Sequence, residues 1–333
     1  MNSPDGYGIR IAGVGSAVPE KVLTNADFEK MVDTTDEWIV QRTGIRERRV
    51  VDPEREGTFT LACDALRGAL EDAKLAASDL DLIILGTVTG EMTCPSVACR
   101  VADALGAAPA GAFDVGAACC GFVYSINIAD SLIRCGRYRT IGVIGADTMS
   151  TITDYTDRTL SILFGDAAGA VVVARDDDPS LGCLYQTMQA DAALWESLYI
   201  PRREQDIPEH DRDNPIRLGC LRMRGREIFK FAVVKMREVI EEALKATGLS
   251  ACQISRFICH QSNLRIIDST RQKLGLPPEK FYINIDTHGN SSAGSVGLCF
   301  DQLWKAGEVK RGDYVMFVAI GGGLTWSTSV WKL

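Results

Sequence analysis

The chain repeats its own hydrophobic pattern after about 170–175 residues, so any fold it adopts has to hold the same unit twice. In the first copy an amphipathic stretch over residues 61–74 leads through Ser78-Asp79-Leu80 into the aliphatic run Leu82-Ile83-Ile84-Leu85. In the second, residues 233–246 lead through Leu249-Ser250 into Phe257-Ile258-Cys259. Each run precedes a helical pattern closed by Leu-Gly, at Leu105-Gly106 and Leu274-Gly275, where glycine can end a helix. Ala112-Phe113-Asp114-Val115 then matches Tyr282-Ile283-Asn284-Ile285, and Ile141-Gly142-Val143-Ile144-Gly145 matches Val315-Met316-Phe317-Val318-Ala319. Short strands alternating with helices predict an α/β fold, a parallel sheet covered by helices, built as duplicated βαβ halves. The expected halves are residues 1–180 and 181–333. Residues 201–218, rich in charge and proline, read as a solvated excursion between repeated elements.

Composition removes several classes. A chain of 333 residues that is 46% hydrophobic can bury a large core, yet it has no apolar run of the ~18–20 residues a bilayer span needs. Its opening, MNSPDGYGIR, lacks the basic-then-apolar pattern of an export signal, so a cytoplasmic location and no membrane association are expected. The 11 cysteines are then reduced thiols, with Cys63, Cys99, Cys135, Cys259 and Cys299 expected to pack as small hydrophobes in apolar stretches. No C-x-x-C pair occurs and there are only 3 histidines, so no metal site is expected. A net charge of −8 argues against a general affinity for nucleic acid.

The sharpest local feature is Phe113-Asp-Val-Gly-Ala-Ala-Cys119-Cys120-Gly-Phe122, a strand running through small residues into an amphipathic segment over 123–135. A cysteine on such a turn faces unpaired helix N–H groups, and its thiol should ionise more easily than a free one. On this segment alone the reading stays open between a nucleophile and two buried thiols. The second half adds His260 in Cys259-His260-Gln-Ser-Asn263-Leu-Arg265 and Asn290 in Asp286-Thr-His288-Gly-Asn290, each after a predicted strand. The carboxyl edge of a parallel sheet is where catalytic groups converge, and all three turns lie there. Gly321-Gly322-Gly323 after a further strand offers backbone N–H groups that can approach a substrate closely.

Taken together these residues resemble the β-ketoacyl-acyl carrier protein synthase III family of thiolase-like condensing enzymes. The resemblance rests on Asp36-Glu-Trp-Ile-Val-Gln-Arg-Thr-Gly-Ile-Arg46, Ala118-Cys119-x-Gly-Phe, Thr156-Asp-Arg158, Phe164-Gly-Asp-Ala-Ala-Gly169, His260-Gln-x-Asn-Leu-Arg265, His288-Gly-Asn290 and Gly321-Gly-Gly-x-Thr-Trp326. It implies a layered α-β-α-β-α core, a catalytic triad of Cys119, His260 and Asn290, and an oxyanion hole from the N–H groups of Cys119 and Gly322. It implies that an acyl-CoA loads Cys119 and that malonyl on acyl carrier protein then enters, with no cofactor. Thr34, Trp38, Arg42, Arg158, Gly225 and Asn263 would contact CoA, and Arg224, Arg226, Lys230 and Arg265 would dock the carrier. A homodimer is implied, in which the residue at position 94 enters the partner's acyl pocket. Cys94 and Ile320 stand where phenylalanines are usual, so the expected primer is longer or bulkier than acetyl. The competing readings are a same-fold acyltransferase of a secondary pathway and a non-catalytic carrier-binding subunit. Gly13-Val-Gly15 is too short a glycine pattern for a dinucleotide site.

Overall fold

The computed structural model describes residues 6–333, so the expectation about an export signal, read on MNSPDGYGIR, lies partly outside the described residues. The strands that build the two main sheets are β1 (Gly8–Ala17), β2 (Leu82–Gly86), β3 (Gly111–Val115), β4 (Thr140–Thr148), β5 (Asp166–Asp176), β6 (Gly182–Ala190), β7 (Ile254–Cys259), β8 (Tyr314–Gly321) and β9 (Thr325–Lys332). The helices around them are α1 (Thr58–Ala73), α2 (Val97–Leu105), α3 (Gly121–Arg134), α4 (Gly225–Thr247), α5 (Leu264–Lys273) and α6 (Gly294–Lys305). One sheet runs β1-β5-β4-β2-β3 and the other β7-β8-β9-β6. Reading the second from β6 gives β6-β9-β8-β7, the order of β1-β5-β4-β2 in the first. The duplication seen in the hydrophobic pattern is thus a duplication of topology.

Helices α3 and α6 lie between the sheets, while α1 and α2 cover one outer face and α4 and α5 the other. This is the thiolase-like layered arrangement. Each helical layer has its own apolar core: Phe122, Ile126, Phe300 and Phe317 in the middle, Leu66 with Ile83 on one side, Met236 with Phe257 on the other. Among the described residues no helix is long and apolar enough to cross a membrane.

Three expectations need correction. The sheets are mixed rather than parallel, because only β3-β2-β4 and β7-β8 run in one direction. Strands β5 and β9 return antiparallel, and β9 follows Gly321 through a turn far too short for a parallel crossover. The long apolar run of β5 looks like a parallel strand because helices cover both of its faces, whatever its direction. Secondly, residues 282–285 do not form a strand. The match to β3 is a single parallel bridge, Phe257 to Phe281, and a one-turn helix, Ile285–His288, follows. The side chain of Gln261 takes the place of the ladder, donating to the carbonyl of Tyr282 at 3.1 Å and accepting from the N–H of Asn284 at 3.2 Å. Thirdly, all the cysteines are free, but Cys99 and Cys135 are exposed, unlike buried Cys63, Cys259 and Cys299.

Candidate active site

Cys119 sits where β3 turns into α3. Ala118 has φ +45°, a left-handed conformation that costs a non-glycine residue about 1–3 kcal/mol, and it turns the chain into the short 3-10 segment Ala118–Cys120. The helix can start there because Gly121 rests directly on β2. A Cβ on Gly121 would lie 2.9 Å from the Cα of Gly86. The Cys119 sulfur is thereby fixed at the head of a buried helix, where the backbone N–H groups of Cys119 and Gly322 favour its anion.

The second half brings two side chains to the same cavity. His260 follows β7, its N–H bonded to the carbonyl of Val318 at 2.7 Å, and Asn290 precedes α6; both line the space in front of Cys119. The Nδ1 of His260 is 2.8 Å from the Oγ of Ser295, and that hydroxyl donates its one proton to the carbonyl of Ser292 at 2.8 Å. Nδ1 therefore carries the imidazole proton, which leaves the Nε2 lone pair as a base. The Oδ1 of Asn290 accepts from the N–H of Ser292 at 3.0 Å, so its NH₂ group remains to donate. Ser292 also hydrogen-bonds to the Cys119 sulfur, at 3.4 Å. Behind it Asp147 is wholly buried and accepts from Thr87 Oγ1, the N–H of Val88, Thr89 Oγ1 and the N–H of Ala293.

The expectation of an easily ionised thiol is not met in the resting site. Burial pushes the Cys119 thiol up to about 11; the Ser292 hydroxyl opposes this, the charge of Asp147 adds to it, and the two backbone N–H groups oppose it. A helix N-terminus is a partial charge, and here the loss of water around a thiolate outweighs it. Burial likewise drives His260 down to about 3, so its imidazole is neutral. The resting site therefore holds a thiol and a neutral imidazole.

The cavity, ≈ 280 Å³, is mostly apolar, walled by Met149, Phe164, Leu198, Leu221, Met223 and Ile320. Much of that wall comes from the residues on either side of the solvated excursion. Residues 202–219 are largely exposed, but their flanks pair as Leu198–Tyr199 with Arg222–Met223 and lay Leu198, Leu221 and Met223 against Met149 and Phe164. Gly225 and Asn263 line the same cavity. Asn263 caps α5 and donates to the carbonyl of Arg42 at 3.0 Å, which ties the helix Asp36–Thr43 to this side of the cavity. There the Arg42 guanidinium lies 5.7 Å from the Trp38 ring, and Arg158 is bound to Asp33 at 3.0 Å. Thr34 keeps a buried hydroxyl with no partner. Arg226 and Lys230 are exposed on α4, Arg224 pairs with Glu227 at 3.6 Å, and Arg265 stands 5.2 Å over the ring of Phe229, itself a lining residue. Cys94 is exposed and is not part of the cavity wall of its own chain.

Sequence reasoning missed Ser292, Ser295 and Asp147. The two serines stand in Ser291-Ser-Ala-Gly-Ser295, which reads as a flexible small-residue turn, and Asp147 ends a strand like any exposed acid.

A cysteine at the head of a buried helix, faced by a histidine and an asparagine from a duplicated half, defines an acyl-transferring condensing enzyme of the thiolase fold. Two family profiles match the chain: "3-Oxoacyl-[acyl-carrier-protein (ACP)] synthase III" over residues 113–192 and its C-terminal counterpart over 244–333. The β-ketoacyl-[acyl-carrier-protein] synthase III of Caldanaerobacter subterraneus subsp. tengcongensis is 46% identical over 322 residues, covering 97% of each chain. The crystal structure of 3-oxoacyl-[acyl-carrier-protein] synthase III from Aquifex aeolicus superposes with a TM-score of 0.90 at 43% identity, over 98% of this chain and 100% of that one. A priming β-ketosynthase from the R1128 polyketide pathway gives 0.89 at 34% identity, over 98% and 96%. The chain belongs to the β-ketoacyl-[acyl-carrier-protein] synthase III family.

Proposed function

We propose that this chain condenses an acyl-CoA primer with malonyl-acyl carrier protein, with loss of CO₂ and through an acyl-Cys119 intermediate, the step that begins a fatty acid chain. The observation that carries the reading is that Cys119, His260, Asn290 and Gly322 all face one apolar cavity. In the first half-reaction Nε2 of His260 takes the thiol proton, the sulfur attacks the thioester carbonyl, and the proton leaves with CoA. In the second, malonyl loses CO₂ and its thioester becomes an enolate, held by the NH₂ group of Asn290 and by His260, whose Nε2 takes up one proton from solvent only as that negative charge appears beside it. The enolate carbon attacks the acyl-Cys119 carbonyl, and the N–H groups of Cys119 and Gly322 hold the resulting oxyanion. One such donor is typically worth about 2.7–4 kcal/mol of barrier. Collapse expels the Cys119 sulfur, which recovers its proton from His260, so the one proton consumed is accounted for.

Thr34, Trp38, Arg42, Arg158, Gly225 and Asn263 serve the CoA thioester in this reading, and Arg224, Arg226, Lys230 and Arg265 serve the acidic carrier. The chain acts as a homodimer through β3, an edge strand whose Phe113 is exposed, as are Val88 and Met92 after β2. Val88 is a lining residue that is also exposed, so a second copy on that edge closes the cavity and brings its Cys94 near the acyl end. The test is intact mass after incubation with a panel of acyl-CoAs, followed by labelled CO₂ release from malonyl-carrier protein. Loading that survives Cys119→Ala, or wild-type protein that gains no acyl group, defeats the reading. The likeness to a polyketide priming enzyme favours one alternative setting for the same chemistry, and the preferred carrier protein distinguishes the two.

A further inference from the structure

Ser292 occupies a backbone conformation that serine rarely takes, φ +49°, two residues before the buried helix α6. Ala118, φ +45°, stands at the matching place of the first repeat, immediately before Cys119. The duplicated fold has therefore kept a strained turn at the head of each central helix, and the two turns meet. From its turn Ser292 is linked to all three side chains of the proposed triad. Its hydroxyl donates to Cys119 Sγ at 3.4 Å, its N–H to Asn290 Oδ1 at 3.0 Å, and its carbonyl accepts from Ser295 Oγ, which holds Nδ1 of His260 at 2.8 Å. The turn is clamped from the first half, because Asp147 accepts the N–H of the next residue, Ala293, at 3.2 Å.

We propose that Ser292 is a fourth catalytic residue, whose hydroxyl supports the sulfur of Cys119 as it becomes an anion while its peptide group orients Asn290 and His260. This rests on the acyl-Cys119 reading above. The hydroxyl gives up no proton: its one hydrogen points to the sulfur as the sulfur becomes an anion, and the proton of the thiol goes to His260. A hydrogen bond to a sulfur gains strength as the sulfur gains charge, so this contact favours the attacking state over the resting one. The same bond stabilises the sulfur again when the condensation step expels it. The ionisable groups that face the sulfur are Asp147 from β4, His260 from the turn after β7 and Cys120 from its own turn; Asp147 is also an acceptor within reach of the Ser292 hydroxyl.

The experiment uses the full chain with Ser292→Gly, which suits a positive φ, and Ser292→Ala, which keeps the Cβ. Three readouts are compared with wild type: the rate of Cys119 acylation at saturating acyl-CoA, the KM for acyl-CoA, and the pH profile of Cys119 alkylation by iodoacetamide. Both variants are expected to acylate at least about tenfold more slowly with little change in KM, and their alkylation profiles should move to higher pH by about one unit. Unchanged acylation and an unchanged profile in the glycine variant overturn the proposal. So does a loss that appears as raised KM or lowered melting temperature with the profile unmoved, since that marks a structural role. A wild type that gains no acyl group overturns both readings together, whereas loading that is equal in wild type and variants overturns this one alone.

Discussion

Asn290 and Phe164 pair as neighbouring strands across the two halves: Asn290 donates its N–H to the carbonyl of Leu163 at 2.9 Å and accepts from the N–H of Gly165 at 3.1 Å. The backbone of one half thus sets the height of a cavity-lining side chain delivered by the other. Gly165 permits this, because a Cβ there would come within 2.3 Å of the carbonyl oxygen of His288.

Gly165→Ala is therefore expected to displace the segment that carries Asn290. Condensation should fall at least about tenfold, and denaturant unfolding should show about 1–3 kcal/mol of lost stability. An alanine variant with wild-type turnover would show that this register does not matter.

The resting thiol sets a second expectation. With burial holding Cys119 near about 11, alkylation of its peptide by iodoacetamide in the free enzyme should keep rising with pH across the range of about 7–10. A plateau below about pH 8 would mean that the helix N-terminus dominates after all. Mass spectrometry of the Cys119 peptide separates it from the exposed Cys94, Cys99, Cys135 and Cys252.

His260 makes stability depend on pH. Its folded value of about 3 lies below the ordinary 6.5, so between these the unfolded chain binds the extra proton and stability falls as pH falls. At pH 4 the loss from this residue is about 3 kcal/mol. His288, lowered to about 4, acts in the same direction, whereas Asp166, raised to about 6, acts in the opposite one. Both cancel in a comparison of wild type with His260→Gln, which should lose less stability between about pH 6.5 and 4 in urea titrations. Parallel losses in the two proteins would contradict a buried neutral imidazole.

Cavity shape should govern the primer. Ile320 is buried in the wall, so Ile320→Phe takes space from the acyl chain. The ratio of kcat/KM for octanoyl-CoA to that for acetyl-CoA is expected to drop at least about tenfold. An unchanged ratio would place the acyl chain elsewhere.

On the exposed edge, Phe113→Glu introduces a charge into the strand proposed to pair with its copy. Light scattering should then report a monomer, with slower turnover because the cavity loses its cover. A dimer that persists would move the interface away from β3.

Motif and periodicity made much of this legible. The hydrophobic repeat indicated two βαβ units, and strand–turn–helix signals marked the turns that hold Cys119, His260 and Asn290. What escaped was whatever depends on distant partners. The antiparallel return of β5 and β9 is hidden because a strand covered on both faces has the same composition in either direction. Gln261 replaces a strand by bonding to backbone more than twenty residues away, which no local pattern encodes. The flanks of a polar excursion become cavity wall because Met149 and Phe164 wait beneath them.

The groups proposed to react, the duplication and the glycines that allow close approach are properties of residue type and spacing, and were legible in the sequence alone. The protonation of those groups was decided only by the tertiary structure. A cysteine at a helix head should ionise readily, yet burial and Asp147 hold this one as a thiol, because the energy of a charge depends on how much water and which other charges surround it. The part of Ser292 was settled in the same way: a serine in a small-residue turn touches the reactive sulfur only because two strained turns, one from each repeat, converge on it.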